Sequence, residues 1–177
     1  MPALAIAQAL RERRPDIEPV LVGARRGVDA SILAGRPFRY HLLPAEPFYR
    51  RQWWKNARWA FLAPGLYVKA RALLAHERPA VVVGTGGYAA APVLSAAARR
   101  HLPVVLQEQN AVPGLTTRWF ARFARLIYLG FPEAASRLAP GPHTGVHVVG
   151  NPVAPPPAGL DRRDARERLG LAPDAPV

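Results

Sequence analysis

Apolar residues along this chain come in short β-branched runs separated by stretches of helical spacing. The clearest pair of runs is Val81-Val82-Val83 and Val104-Val105-Leu106. Each ends abruptly in a glycine-rich or polar loop, and an alanine-rich segment of helical character lies between them. Strand, loop, helix, strand, loop is the repeating unit of a parallel α/β sheet. Ligands of such sheets bind outside the carboxyl ends of the strands. The pattern therefore brings Gly84-Thr85-Gly86-Gly87-Tyr88 and Gln107-Glu108-Gln109-Asn110 to one edge of a parallel α/β sheet.

The same reading extends in both directions. Residues 1–14 have Leu4, Ala7 and Leu10 at helical spacing, with Pro2 in the first turn where proline is tolerated. A strand follows at 18–22 with a turn at Gly23, then a helix starting at 25–31 and a strand at 39–43. Residues 48–77 read as helical, interrupted at Pro64-Gly65. Beyond the central unit come a helix at 113–125, a strand at 126–129, a short helix at 131–138 and a strand at 146–149. Residues 152–159 are a proline-rich linker, and 161–169 a charged short helix. Parallel α/β units usually begin with a strand, and the loop after it often holds a phosphate or the chemistry. Here a helix comes first, so an earlier strand and loop are expected to be lacking.

The 177 residues suffice for one domain with a proper core, and half of them are hydrophobic. No apolar run approaches the ~20 residues that span a bilayer, and no secretory leader pattern is seen. The absence of cysteine excludes disulfides and thiolate metal sites. The net charge is +12, and of 24 basic residues only Lys55 and Lys69 are lysine. Arginine, alanine and proline all have GC-rich codons, so two readings stand: coding bias, or an anionic partner such as nucleic acid, acidic lipid or a phosphorylated substrate. Within residues 48–77, Arg50, Arg51, Lys55, Arg58, Lys69 and Arg71 interleave with Trp53, Trp54, Trp59, Phe61 and other aromatics. Such a stretch suits nucleic-acid stacking, an interfacial membrane element, or a half-buried helix with a solvated basic face.

Glycines after a strand let a backbone approach a ligand closely, and a helix N-terminus there favours an anion or a hydroxyl. The loop holding Gly86, Gly87 and Tyr88 is neither a Walker loop nor a dinucleotide fingerprint. Glu108 and Asn110, two apart after a strand, point the same way if the segment stays extended, and a carboxylate beside an amide suits sugar hydroxyls. A turn or helix-capping role is the alternative. His41, His76, His101, His143 and His147 show no zinc spacing, so no metal site is expected. No catalytic triad or paired carboxylates stand out.

Four segments taken together resemble the N-terminal domain of the MurG family, bacterial UDP-N-acetylglucosamine transferases of peptidoglycan synthesis. They are PALAIAQAL (from Pro2), VVVGTGGYAAAP (from Val81), VVLQEQNAVPGLTTRW (from Val104) and VVGNPV (from Val148). The resemblance implies an α/β, Rossmann-like parallel sheet, the N-terminal half of a GT-B fold, lacking its first strand. Residues 1–152 would be the N-terminal acceptor- and membrane-side domain, truncated at its start. Residues 153–177 would be the linker and beginning of a donor domain. It implies transfer of GlcNAc from UDP-GlcNAc to undecaprenyl-pyrophosphoryl-MurNAc-pentapeptide (lipid I to lipid II) with inversion, at the cytoplasmic face of the membrane. The enzyme would be peripheral and free of metal or other cofactor. Its partners would be UDP-GlcNAc, the lipid acceptor and the anionic membrane surface, not nucleic acid. Residue by residue, Tyr88, Gly86 and Gly87 match the family's GGY loop, and Glu108 and Asn110 its HEQN motif, all at the substrate. Arg50, Arg51, Trp53, Trp54, Lys55, Trp59 and Phe61 match its membrane patch.

Three departures qualify the resemblance. The family's GGTGGH loop, with the histidine proposed as base, would precede Pro2, so no catalytic residue is assigned and the fragment is expected to be inactive by itself. Gln107 and Thr117 stand where histidine and asparagine are usual, and Ala154 where arginine often follows GNPV. Two other readings remain: a non-catalytic basic module binding membrane or nucleic acid, and a GT-B transferase with a different acceptor.

Overall fold

The computed structural model describes residues 2–46, 54, 58–154, 159 and 161–172. Helix α1 (Pro2–Arg13) leads into strand β1 (Val20–Ala24), helix α2 (Asp29–Leu33) and strand β2 (Arg39–Leu43). Helix α3 (Trp59–Glu77) then crosses to strand β3 (Val82–Gly84), helix α4 (Ala90–Arg99) and strand β4 (Val104–Glu108). Helix α5 (Leu115–Phe120), a 3-10 turn (Ala121–Phe123) and strand β5 (Leu126–Leu129) follow. A second 3-10 segment (Pro132–Arg137) precedes strand β6 (Gly145–Val148), and α6 (Arg162–Arg168) is the last helix.

Every strand pairing is parallel, in the orders β1-β2 and β3-β4-β5-β6. Among the described residues β1 and β3 are not paired with each other. The break lies where a doubly wound order places its first strand, between the strand that turns one way and the strand that turns the other. One core nevertheless unites the two parts. Ala24 and Leu43 join Leu66, Ala70 and Leu74 of α3, and through them Val82, Leu94, Leu106 and Ile127. The stripe Leu66, Ala70, Leu74 recurs every four residues, which is why one face of α3 is buried. A smaller cluster of Ala7, Leu21 and Leu33 holds α1 and α2 to β1.

Several boundaries differ from the sequence reading. Helix α3 runs through Pro64 without interruption. The proline costs one intrahelical hydrogen bond, and the buried stripe after it outweighs that loss. Gly23 is inside β1 and not a turn; a β-carbon there would meet Asp29 Cβ at 2.9 Å, so its role is to let α2 pack close. The helix expected over 113–125 closes at Phe120 and tightens into a 3-10 turn. The segment at 131–138 is 3-10 throughout its helical part.

The C-terminal turn of α3 carries an acid, Glu77, against the helix dipole. It is compensated by β2. His41 Nε2 lies 2.8 Å from Glu77 Oε1, and an Arg39 guanidinium nitrogen 3.0 Å from Oε2. The hydrogen bond to His41 first, and the Arg39 charge after it, hold the Glu77 carboxyl below its usual value of 4.5 despite opposing desolvation. A carboxylate with a lowered folded pKa contributes stability above its unfolded pKa and loses it as pH falls through the folded value. The stability difference between the native chain and Glu77→Gln, measured by urea unfolding across pH, is therefore expected to be full near neutrality. It should vanish once pH drops below the lowered value; a difference independent of pH contradicts this.

Candidate functional site

The parallel order puts the ends of β3, β4, β5 and β6 on one edge. At β3, a β-carbon on Gly84 would meet Leu94 Cδ1 at 2.9 Å and Leu106 Cδ2 at 3.1 Å, so α4 packs directly on the strand end. Gly86 and Gly87 then take φ of +86° and +82°, a region side chains disfavour, and open space lies where their side chains would be. Tyr88 turns toward the other sheet, where its hydroxyl donates to the Arg26 carbonyl at 2.8 Å. The glycine loop thus bridges β3 and the end of β1.

The loop after β4 is tied to it. Gln109 Nε2 donates to the Thr85 carbonyl at 3.1 Å and the Gln107 carbonyl at 3.2 Å, and also contacts Gln107 Oε1. Thr116 Oγ1, from α5, donates to the Gly87 carbonyl at 3.0 Å. Gln107 is buried, and its Nε2 has no hydrogen-bond partner among the described residues.

Glu108 is 3 % exposed. Its Oε1 accepts from the Asn110 backbone N–H at 3.0 Å and from Asn110 Nδ2 at 2.8 Å, and its Oε2 accepts from the Gly114 N–H at 3.0 Å. Gly114 is the N-cap of α5, so the carboxylate also sits at the favourable end of that helix's dipole. Glu108 and Asn110 do meet, but through each other: the acid lies beneath the loop and the amide stands exposed above it. With Nδ2 turned to Glu108, Asn110 Oδ1 has no protein partner among the described residues and is an acceptor for a hydroxyl.

Two open cavities lie on the domain, the first of them beside this region. One of about 400 Å³ lies between α1 and the sheet face opposite α4, lined by Ile6, Leu10, Val83, Val105, Gln107 and Tyr128. Another, of about 490 Å³, includes Arg11, Glu18, Arg36 and Arg39 at the amino ends of β1 and β2, away from the glycine loop.

Of the basic aromatic stretch, Arg50, Arg51, Trp53 and Lys55 lie outside the described residues. Trp54 is 58 % exposed, Phe61 86 % and Val68 63 %. Phe61 and Val68, seven apart on α3, share a face, beside which Lys69 and Arg71 are also exposed. Trp59 packs inward against the core instead. Among the described residues no helix is long and apolar enough to cross a membrane, and no group of three or more His, Asp, Glu or Cys side chains is arranged for a metal ion.

Sequence reasoning missed four contributors to the edge: Arg26 as the carbonyl that Tyr88 reaches, Gln109, Thr116, and Asn151, whose Nδ2 donates to the Gln109 carbonyl at 3.2 Å. Gly150-Asn151-Pro152 was visible as a motif in the sequence, but nothing in its spacing points to residue 109.

A family model described as the glycosyltransferase family 28 N-terminal domain matches residues 1–129. A Moorella thermoacetica protein named UDP-N-acetylglucosamine–N-acetylmuramyl-(pentapeptide) pyrophosphoryl-undecaprenol N-acetylglucosamine transferase is 40 % identical over 98 % of this chain and 46 % of its own length. A Nocardioides relative of the same name is 37 % identical over 99 % of this chain and 47 % of its own. The chain thus spans about half the length of the curated relatives it matches. The crystal structure of Acinetobacter baumannii MurG superimposes with a TM-score of 0.69 at 22 % identity, over 88 % of this chain and 43 % of that one, which shows a shared fold.

Proposed function

Because the chain belongs to the glycosyltransferase family 28 N-terminal domain family, we propose that it is the acceptor-side half of an inverting hexosyltransferase of peptidoglycan synthesis. The reaction moves N-acetylglucosamine from UDP-N-acetylglucosamine to the muramoyl sugar of undecaprenyl-pyrophosphoryl-MurNAc-pentapeptide. The relatives' names supply the substrates. The observation that carries the reading is the fixing of Asn110 over Glu108, beside the Gly86-Gly87-Tyr88 loop, on the edge where parallel sheets bind ligands. Residues 1–152 make up this acceptor domain, and 153–177 lead toward the donor domain.

In this reading Asn110 Oδ1 accepts from a sugar hydroxyl, and the exposed backbone around Gly86 and Gly87 admits the sugar or its phosphate closely. Tyr88 sets the loop through Arg26. Glu108 acts by holding Asn110; with both carboxylate oxygens engaged, it is not assigned the proton from the acceptor hydroxyl. The exposed Trp54, Phe61 and Val68, with Lys69 and Arg71, rest on the cytoplasmic face of the membrane, apolar groups in the interface and cations at anionic headgroups.

The test is transfer of labelled N-acetylglucosamine to the lipid acceptor by this chain completed with all the segments of the Moorella thermoacetica relative that lie outside the match, those before it as well as those after it. Asn110→Ala is expected to lower kcat/KM about tenfold or more through lost orientation of the acceptor. Equal transfer by the two proteins, or transfer to acceptors lacking the muramoyl sugar, would count against the reading.

A further inference from the structure

The loop that carries Asn110 is held from beneath by Glu108 and from the side by the chain leaving the sheet. After β6 the Val149 and Gly150 N–H groups both donate to the Leu129 carbonyl, at 3.0 Å and 3.2 Å, and Gly150 takes φ of +81°. This turn lays Asn151 across Gly130, the residue after β5. Asn151 Nδ2 donates to the Gln109 carbonyl at 3.2 Å, and the Gly130 N–H donates to the Glu108 carbonyl at 2.8 Å. A β-carbon at position 130 would run into Asn151 Oδ1 and lie 2.9 Å from its Cγ and 3.2 Å from the Gln109 carbonyl oxygen. Only a residue without a side chain leaves room for the amide. Three strand ends are therefore stacked into one clasp: Gln109 after β4, Gly130 after β5 and Asn151 after β6.

We infer that Asn151 is a positioning residue for the 107–110 loop, coupling the segment that leads out through Pro152 to the geometry of Asn110. The inference rests on the proposed role of Asn110 for its functional meaning, though the clasp itself does not. The chemistry is specific to an amide. The Gln109 carbonyl needs a donor, which aspartate lacks when ionised and alanine lacks altogether. Displacing residues 150–152 removes that donor and frees the loop to move. The coupling runs both ways, so a ligand held by Asn110 steadies the exit segment.

The experiment is residue-resolved amide hydrogen exchange on the 177-residue chain and its Asn151→Ala, Asn151→Asp, Gly130→Ala and Asn151→Ala/Gly130→Ala variants. The Asn110 and Gly114 N–H groups, both donors to Glu108, report on the loop. Both Asn151 variants are expected to speed their exchange about tenfold, the equivalent of one net hydrogen bond, while amides inside β3, β4 and β5 stay within about twofold. Gly130→Ala should do the same in the native background and add little to Asn151→Ala, since the two changes break one contact. Unchanged loop exchange in the Asn151 variants would overturn the inference. So would uniform acceleration through the sheet, which marks a merely structural role. No substrate is involved, so failure of the acceptor reading would leave this result standing.

Discussion

Glu108→Ala is expected to destabilise the domain by about 3 kcal/mol, because one substitution strips partners from three donors at once. The Asn110 N–H, Asn110 Nδ2 and the Gly114 N–H all end on this carboxylate. Hydrogen bonds to a charged acceptor are each worth about 1.5–3 kcal/mol, and water reaching the exposed Asn110 recovers part of the loss. For a chain of this size the midpoint of thermal unfolding should fall by roughly 6–12 °C. Glu108→Gln keeps one acceptor oxygen but turns an amide donor toward another donor, so it should lie between the native chain and alanine. Asn110→Ala removes one bond on an exposed loop and should cost about 1 kcal/mol. Urea unfolding of the three variants checks the order. If Glu108→Ala were as mild as Asn110→Ala, the carboxylate would not be the fixture of the loop.

The second large effect lies in the core beneath the same edge. Leu94 is 1 % exposed and packs against Gly84, so close that a β-carbon there would sit 2.9 Å from its Cδ1. Leu94→Ala should cost about 3–4 kcal/mol, lost burial plus a cavity that a sheet and two helices cannot collapse into. That is a large share of the ~5–15 kcal/mol by which domains are stable. Gly84→Ala should cost about 1–3 kcal/mol for the opposite reason, overpacking. The double variant should be less unstable than the sum, because the new methyl group enters the space Leu94 vacates. Strict additivity would show that the two sites do not share that space.

These expectations start from features of unequal legibility in the sequence. Strands β2 and β5 fall where the sequence places them: Leu126–Leu129 is an apolar and aromatic run ended by Gly130, and Arg39–Leu43 is a short segment ending in two leucines and stopped by Pro44. Pro64 misled because a breaker rule weighs one residue, whereas Leu66, Ala70 and Leu74 bury a stripe beyond it. The proximity of Glu108 and Asn110 was readable from their spacing. Their bonding to each other was not, because it requires the chain to turn at Gln109 and α5 to begin at a place where Gly114 can reach Oε2. Asn151 was the least legible. Its partners are 42 and 21 positions away by chain number, and only the packing of three strand ends brings them together. Trp59, grouped with the exposed aromatics by sequence, faces the core because it opens α3 on the buried side of that helix.

The most direct test of the acceptor-side assignment uses the chain as it is. Its binding is measured to anionic vesicles that do or do not contain undecaprenyl-pyrophosphoryl-MurNAc-pentapeptide, matched in surface charge at near-physiological salt. The account predicts that the lipid-linked sugar raises affinity about tenfold, a gain of about 1.4 kcal/mol. Asn110→Ala should erase that gain while leaving binding to plain vesicles unchanged, and Phe61→Asp should weaken binding to both. Equal affinity for the two vesicle types, or a gain that survives Asn110→Ala, would contradict it.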